Sequence, residues 1–405
     1  RAGRRADDVR AAELIVRNPA MPRESPFLHI AAESNVPIVM DTTLFFQFCP
    51  APIAGVTGTR GKSTAVAVAG EILRRDRPET VVAGNIGRSP LADLERIRPD
   101  TPVVLELSSW QLEGLEPFRM SPRWALLTCM LPDHLNRYAS FEAYATSKET
   151  IVKHQRPDDV AVLPIDDPWG KRFAERTRAR VVWFGNSSGD VPKQVYGVLR
   201  VRDRVLWRTE ARDETLLSWH ELAGLGEHTK RNLLAGALLA LEMGAAGDDV
   251  RTILRAFRGL PNRLEVVRVT EDRMFVNDTA ATIPEAVIAA LRAFPGRRIV
   301  LITGGTDKHL DYRGLATVLQ QSENLRGVIF FEGSATEKLL GALGNNSLVR
   351  ESPTVRTMPA AVKQARAVSR PGDVILLSPG AASFELFRDE FDRGDQFRAA
   401  VHALG

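Results

Sequence analysis

The stretch Gly55-Val56-Thr57-Gly58-Thr59-Arg60-Gly61-Lys62-Ser63-Thr64 constrains this chain more than any other. It follows the short apolar run Pro52-Ile53-Ala54 and opens into Ala65-Val66-Ala67-Val68-Ala69-Gly70-Glu71-Ile72-Leu73, which reads as a helix. A strand, a glycine-rich turn and a helix start are what a phosphate-binding loop requires. Small residues let backbone N–H groups close on phosphate oxygens, and the helix N-terminus adds partial positive charge. Gly58, Thr59, Gly61 and Thr64 then line the phosphates, Lys62 reaches the terminal ones, and the Ser63 hydroxyl can ligate Mg²⁺. The spacing departs from the common form, because Val56 stands where a glycine would. The plainer reading is a glycine-rich turn capped by Ser63 and Thr64. It gives no reason for Gly-Lys-Ser at a strand-to-helix junction, so a nucleoside triphosphate is expected here.

Around this loop the pattern is α/β. From Ala51 onward apolar runs alternate with helical segments, the signature of a mostly parallel, doubly wound sheet. Strands are expected at 80–83, 103–107, 124–128 and 159–163, with helices at 92–97, 141–154 and 228–243. The stretch 180–210 has short apolar pieces broken by Gly, Asp and Arg, and reads as a small antiparallel patch with sparse contacts. Gly259-Leu260-Pro261 reads as a turn between domains. Beyond it, strands at 273–277, 298–303, 327–331 and 374–378 alternate with helices at 283–294, 335–343 and 359–368. That makes a second open α/β domain. Before Ala51 only two short strands are visible, at 12–16 and 35–41. They are too few for a whole domain and the chain opens on Arg1, so a truncated domain is expected. The boundaries become 1–47, 48–258 and 259–405.

Composition closes off several classes. At 405 residues the chain exceeds one ordinary core, and 44% hydrophobic with 26% charged residues describes a folded globular protein. The net charge of +4 is small for this length, and arginines interspersed with acids leave no nucleic-acid footprint. Cys49 and Cys129 are the two cysteines, too few for a disulfide framework or a four-cysteine zinc site, and a reducing cytoplasm suits them. No apolar run is long enough to span a membrane.

In open α/β sheets ligands sit at the carboxyl edge of the strands. Gly84-Asn85-Ile86-Gly87 follows one apolar strand, Glu106-Leu107-Ser108-Ser109-Trp110-Gln111 ends another, and Pro132-Asp133-His134-Leu135-Asn136-Arg137 follows a third. A buried carboxylate at a strand end is costly unless paired, and beside phosphates a metal is the usual partner. Glu106, His134 and Ser63 could complete Mg²⁺ coordination. Taken singly, His134 reads as a turn histidine, Glu106 as a capping acid, and Lys148 as a solvated lysine on an amphipathic helix.

These motifs together resemble the Mur ligase family. The likeness rests on Thr57-Gly58-Thr59-x-Gly61-Lys62-Ser63-Thr64, Gly84-Asn85-Ile86-Gly87, Glu106-Leu107-Ser108-Ser109-x-Gln111-Leu112, Asp133-His134-Leu135-x-Arg137 and Lys148. It continues in His228-x-x-x-Asn232, Leu260-Pro261-x-Arg263-x-Glu265, Asn277-Asp278, Gly304-Gly305 and Ser378-Pro379-Gly380-Ala381-Ala382-Ser383. The resemblance implies a cytoplasmic, monomeric, ATP- and Mg²⁺-dependent amide ligase. Its P-loop central domain would be followed by a Rossmann-like C-terminal domain and preceded by the remnant of a uridine-nucleotide-binding one. The order of motifs is most similar to the branch that adds glutamate to UDP-N-acetylmuramoyl-L-alanine through an acyl phosphate. By resemblance, Ser63 and Glu106 hold one Mg²⁺, and His134 with a carbamylated Lys148 holds a second. Lys62, His134 and Lys148 form the catalytic set. Asn232, Arg263 and Asp278 hold the nucleotide, with Arg263 just past the expected hinge. Asn85 and Ser108 contact the muramoyl substrate, while Thr282, Lys308 and Ser383 grip the glutamate.

Several positions depart from the commonest form. Thr279-Ala280-Ala281-Thr282 stands where Ser-Lys-Ala-Thr is frequent, which removes a cation near the amino-acid site. Asn262 replaces a frequent His, Asn136 a common Asp and Cys129 a common Asn, and the aromatic around Phe387–Phe391 is shifted. These changes bear on the amino acid accepted. D-glutamate is expected, with L-glutamate or a non-catalytic nucleotide-binding relative as the alternatives.

Overall fold

The computed structural model describes every residue except 1–5, 20, 22–23, 86–88, 134–136, 188–193, 223–224, 258, 309, 345–351 and 405. Internal contacts divide the chain into two units, Arg1–Phe257 and Arg258–Gly405.

The first unit opens with β1 (Ile15–Val16) and β2 (Ile38–Val39), a parallel pair bridged by the helix Pro26–Glu33. The helix Asp41–Phe48 then leads into a nine-stranded sheet. Its strands are β3 (Ile53–Thr57), β4 (Val81–Gly84), β5 (Val103–Glu106), β6 (Trp124–Leu127), β7 (Val160–Pro164), β8 (Arg180–Ser187), β9 (Gly197–Val201), β10 (Arg204–Arg208) and β11 (Asp213–Ser218). The spatial order is β11-β10-β9-β8-β7-β6-β3-β5-β4. Pairing is parallel from β4 through β9 and antiparallel only across β9–β10–β11.

Strands β3, β5 and β7 are buried along their whole length, because helices cover both faces of the sheet. Alternate side chains feed separate cores. Ala54, Val56, Val104 and Leu126 pack beneath the helices Lys62–Arg74 and Glu227–Glu242. Ile53, Leu105 and Leu127 pack on the other face with Tyr144 and Ile151, from the helix Phe141–Lys153.

The 180–210 stretch keeps the antiparallel pairing that its composition predicts across β9–β10, but it is neither sparse nor separate. It extends the main sheet, and Val182, Phe184, Val198 and Leu199 are at most 1% exposed. Of the glycines that read as breaks, Gly185 lies within β8 against the Asp166 side chain, and Gly197 opens β9, where two backbones nearly touch. A Cβ at Gly197 would stand 1.9 Å from the Trp183 carbonyl oxygen. Segment 92–97 forms a 3-10 turn, Pro90–Arg96, and not an α-helix.

The second unit carries β12 (Glu265–Thr270), β13 (Arg273–Asn277), β14 (Ile299–Gly304), β15 (Leu325–Phe331), β16 (Thr354–Val355) and β17 (Val374–Leu377). They lie in the order β12-β13-β17-β14-β15-β16. All pairs are parallel except the β12–β13 hairpin. The interior strands again separate two cores, one beneath Pro284–Leu291 and Arg313–Gln321, the other beneath Met358–Val368 and Glu390–His402.

One close approach sets the packing behind the phosphate loop. Gly236, inside the helix Glu227–Glu242, lies so near the helix Lys62–Arg74 that a Cβ would meet the Ala65 carbonyl oxygen at 2.6 Å and Val68 Cβ at 3.0 Å. Gly236→Ala should therefore cost about 1–3 kcal/mol by overpacking, read as a lower denaturation midpoint. At Gly341, mid-helix with nothing within 4 Å, the same change should gain about 0.5–1 kcal/mol.

Candidate active site

Strand β3 delivers the chain to residues 58–61, and the helix Lys62–Arg74 starts directly beyond. Gly58 and Gly61 have φ of 144° and 84°, where side chains are disfavoured. Space forbids them as well, since a Cβ would sit 2.0 Å from Thr128 Oγ1 at Gly58 and 2.3 Å from Asn232 Oδ1 at Gly61. Asn232 therefore packs against the loop. Lys62 Nζ donates to the carbonyls of Gly58 and Thr59 at 3.1 and 3.3 Å. Thr59 N donates to Cys129 O at 2.9 Å, and Thr59 Oγ1 donates to Leu131 O at 3.0 Å. The segment after β6 thus holds the loop open in shape.

Glu106 closes β5 and is 3% exposed. Ser63 Oγ donates to its Oε2 at 2.7 Å, and Asn85 Nδ2 donates to its Oε1 at 3.1 Å. Both donors are neutral, and both carboxyl oxygens face a loop shaped for phosphate. That donor set fits a hard divalent cation, with Ser63 and Glu106 as the oxygens that would hold it. Among the described residues no group of three or more His, Cys, Asp and Glu side chains forms a metal cluster. His134, with Ile86, Gly87 and Asn136, lies outside the described residues.

Lys148 is 2% exposed, so it is not the solvated lysine that its helix pattern allows. Its Nζ donates to Thr57 Oγ1 at 3.2 Å and to Gly58 O at 3.1 Å, and stands 4.9 Å from the Tyr144 ring centre. Burial, followed by the nearby Lys62 charge, pushes this amine well below the usual lysine range. Tyr144, which the sequence reading missed, hydrogen-bonds Thr59 Oγ1 at 3.3 Å, and burial raises its phenol to about 12. Its only signal was an aromatic one turn before Lys148.

Beside the loop opens a cavity of about 900 Å³, walled by Thr59, Arg60, Met130, Trp169, His228, Arg231 and Asn232. That volume falls within the range of small-molecule sites. Arg231 grips Asp166 (Nη2 to Oδ1, 2.7 Å) and donates to Thr128 O at 2.7 Å. Neither residue was picked out from sequence, though Asp166 follows β7 at the same carboxyl edge. Ser108 is occupied locally. Its Oγ accepts from Gln111 N at 3.2 Å, while Gln111 Oε1 accepts from Ser108 N at 2.9 Å, a reciprocal cap on the helix Ser109–Leu115.

In the second unit three strand-end loops are stitched together. Gly380 N donates to Ala281 O at 2.7 Å, Gly304 N to Pro379 O at 2.9 Å, and Thr306 exchanges backbone bonds with Ala382 at 3.0 Å each way. These bonds bring the loops of Thr282, Lys308 and Ser383 to one sheet edge. Lys308 is exposed, whereas Ser383 is 3% exposed and its Oγ is buried without a hydrogen-bond partner among the described residues. Asp278 accepts from Ser378 Oγ at 2.8 Å and from Leu264 N at 3.2 Å. Burial raises its carboxyl to about 6, against the lesser pull of those bonds and of Arg263. Arg263 is itself exposed, between Asn262 and Leu264 at φ 67° and 44°.

The Mur ligase middle domain matches residues 56–240, and the Mur ligase glutamate ligase domain matches 262–380. A UDP-N-acetylmuramoylalanine--D-glutamate ligase of Roseiflexus sp. (strain RS-1) is 42% identical, over 99% of this chain and 86% of its own. The chain belongs to the Mur ligase family. Another of the same name, from Symbiobacterium thermophilum, is 36% identical over 97% of this chain and 84% of its own. Among solved structures, MurF of Acinetobacter baumannii matches with TM-score 0.59 at 18% identity, over 89% of this chain and 78% of that one. MurC of Thermotoga maritima matches at 0.56 and 20%, over 99% and 88%. At such identities the structures report the shared α/β fold. Membership makes this Mur ligase an ATP-dependent enzyme of peptidoglycan synthesis.

The Asp278 carboxyl gives this Mur ligase a pH signature. Its folded value, about 6, stands above the unfolded 3.8, so the protonated form favours folding. This carboxyl's own contribution to stability should be fullest below about pH 4 and fall by up to about 3 kcal/mol as pH rises through 6. Urea midpoints at pH 4 and 7 should differ less in Asp278→Asn than in the parent.

Proposed function

We propose that this enzyme joins D-glutamate to the carboxylate of UDP-N-acetylmuramoyl-L-alanine, using ATP. The observation that carries the reading is the convergence of the phosphate loop, the buried Glu106 carboxylate and the buried Lys148 amine at one strand edge. The substrates follow from what the relatives' names say of those proteins.

In this reading the acceptor carboxylate attacks the γ-phosphorus of ATP, ADP leaves, and an acyl phosphate results. The glutamate amine then attacks the acyl carbon, and the tetrahedral intermediate expels phosphate to leave an amide. Bringing two anions together requires positive charge more than covalent chemistry. Lys62, folded over the loop, supplies part of it. Mg²⁺ held by Ser63 and Glu106 would neutralise further phosphate charge, with His134 and Lys148 assigned to a second ion.

Lys148 suits that role only as a carbamate. A neutral amine adds to CO₂ and releases a proton, turning a cation buried beside Lys62 into an anion that attracts it. The depressed Lys148 amine favours the first step. Asn85 and Ser108 are assigned to the acceptor, Asn232, Arg263 and Asp278 to the nucleotide, and Thr282, Lys308 and Ser383 to glutamate. The orphaned Ser383 hydroxyl is the kind of donor a substrate carboxylate would engage. The enzyme would act in the cytoplasm as a monomer, without nucleic acid or membrane.

Lys62→Ala should lower glutamate-dependent ADP release by at least about a hundredfold. Retained release would count against the mechanism. Single-turnover assays should give amide with D-glutamate and none with L-glutamate; product from L-glutamate alone would reverse the stereochemical assignment. Lys148→Met should abolish turnover yet still bind ATP. The parent should lose activity in CO₂-free buffer and regain it with bicarbonate.

A further inference from the structure

Arg393 is the largest fully buried side chain among the described residues, at 0% exposed. It projects from the helix Glu390–His402, and all of its partners are neutral oxygens. Nε donates to Thr279 Oγ1 at 2.9 Å, Nη2 to Thr279 O at 3.0 Å, and Nη1 to Ala381 O at 3.2 Å. Among the described residues it forms no ion pair, and the one acid that raises its proton affinity is Glu390, acting through space. Burial lowers the guanidinium to about 10, so it stays charged at neutral pH. A buried charge without a counter-ion is expensive, and an apolar side chain would join two loops at less cost.

The charge makes sense once its neighbours are followed outward. Thr279 begins the loop that ends at Thr282, and Ala381 stands two residues before Ser383. The same helix is pressed onto this junction, since a Cβ at Gly394 would lie 2.2 Å from Asn262 Oδ1 and 2.8 Å from Thr279 Cγ2. Thr279 Oγ1 passes the contact on by donating to Glu390 O at 3.0 Å. Two residues after Ala381, whose carbonyl takes the guanidinium, the Ser383 Oγ is buried without a partner among the described residues. Ala280, on the first loop, supplies no cation of its own.

We propose that Arg393 is the positioning residue of the amino-acid pocket: from behind both loops it sets Thr282 and Ser383 for an incoming dicarboxylate and lends the pocket its positive charge. This rests on the assignment of glutamate to that sheet edge. A planar fork reaching two loops at once is something lysine cannot reproduce.

The test is steady-state kinetics on the full chain with each of the three substrates varied in turn, beside thermal melting. The parent must first turn over with glutamate; if it does not, the functional assignment fails before this one is reached. Given that turnover, Arg393→Met should raise the glutamate KM at least tenfold while the KM values for ATP and acceptor stay within about twofold. Arg393→Lys, which keeps the charge but not the fork, should fall between parent and Met variant. Should Arg393→Met fail to fold, Thr279→Val removes the Nε acceptor at constant volume and should raise the glutamate KM about threefold. An unchanged glutamate KM in a folded variant, or an equal rise in all three KM values, would overturn the proposal. A lower melting temperature with no KM split would do the same.

Discussion

A carboxylate that the fold places out of water, Glu106, is the constraint on which the central site depends. It ends β5, and its two oxygens receive Ser63 from the loop after β3 and Asn85 from the end of β4. Three neighbouring strands therefore meet in one buried carboxyl group whose donors are neutral. Such a group is stable only where a cation joins it, and the adjacent loop is shaped to bring one with its phosphates. Lys148, under the same loop, is depressed chiefly by burial and then by Lys62, against smaller upward pulls that include Glu106.

The second unit solves a similar problem with backbone bonds. Its loops are tied edge to edge, and buried ionisable groups, Asp278 and Arg393, stand where strand ends would otherwise splay. Among the described residues neither has an opposite charge in contact. One is pushed toward its neutral form, and the other keeps its charge against the cost of burial. A unit built only for stability would use apolar residues at both points.

Much of this was legible in the chain. Alternating apolar runs marked the strands from β3 to β7, because a sheet covered on both faces demands them. The loop and Glu106 were legible because a phosphate loop and a strand-end carboxylate explain each other, whereas Lys148 read as a solvated lysine and was singled out only through the family resemblance. Other features were not. Gly185 and Gly197 read as breakers, but they belong to β8 and β9, where an absent side chain leaves room for the Asp166 carboxyl at the first and the Trp183 backbone at the second. The helices Asp41–Phe48 and Ser109–Leu115 escaped because their ends are set by tertiary contacts and a cap rather than by apolar period. Arg393 escaped for the opposite reason: arginine in a charged helix reads as solvated, and only packing reveals its burial.

Gln111 does two jobs with one amide. Its oxygen caps the helix through Ser108, two residues beyond Glu106, while its nitrogen donates to Thr42 Oγ1 at 3.1 Å, in the helix that follows β2. A planar group cannot turn toward one partner without turning from the other. The seating of the N-terminal elements is therefore coupled thermodynamically to the strand end where chemistry is assigned. Whatever steadies the first elements also steadies the cap, and a disturbance at the cap returns to them with equal free energy.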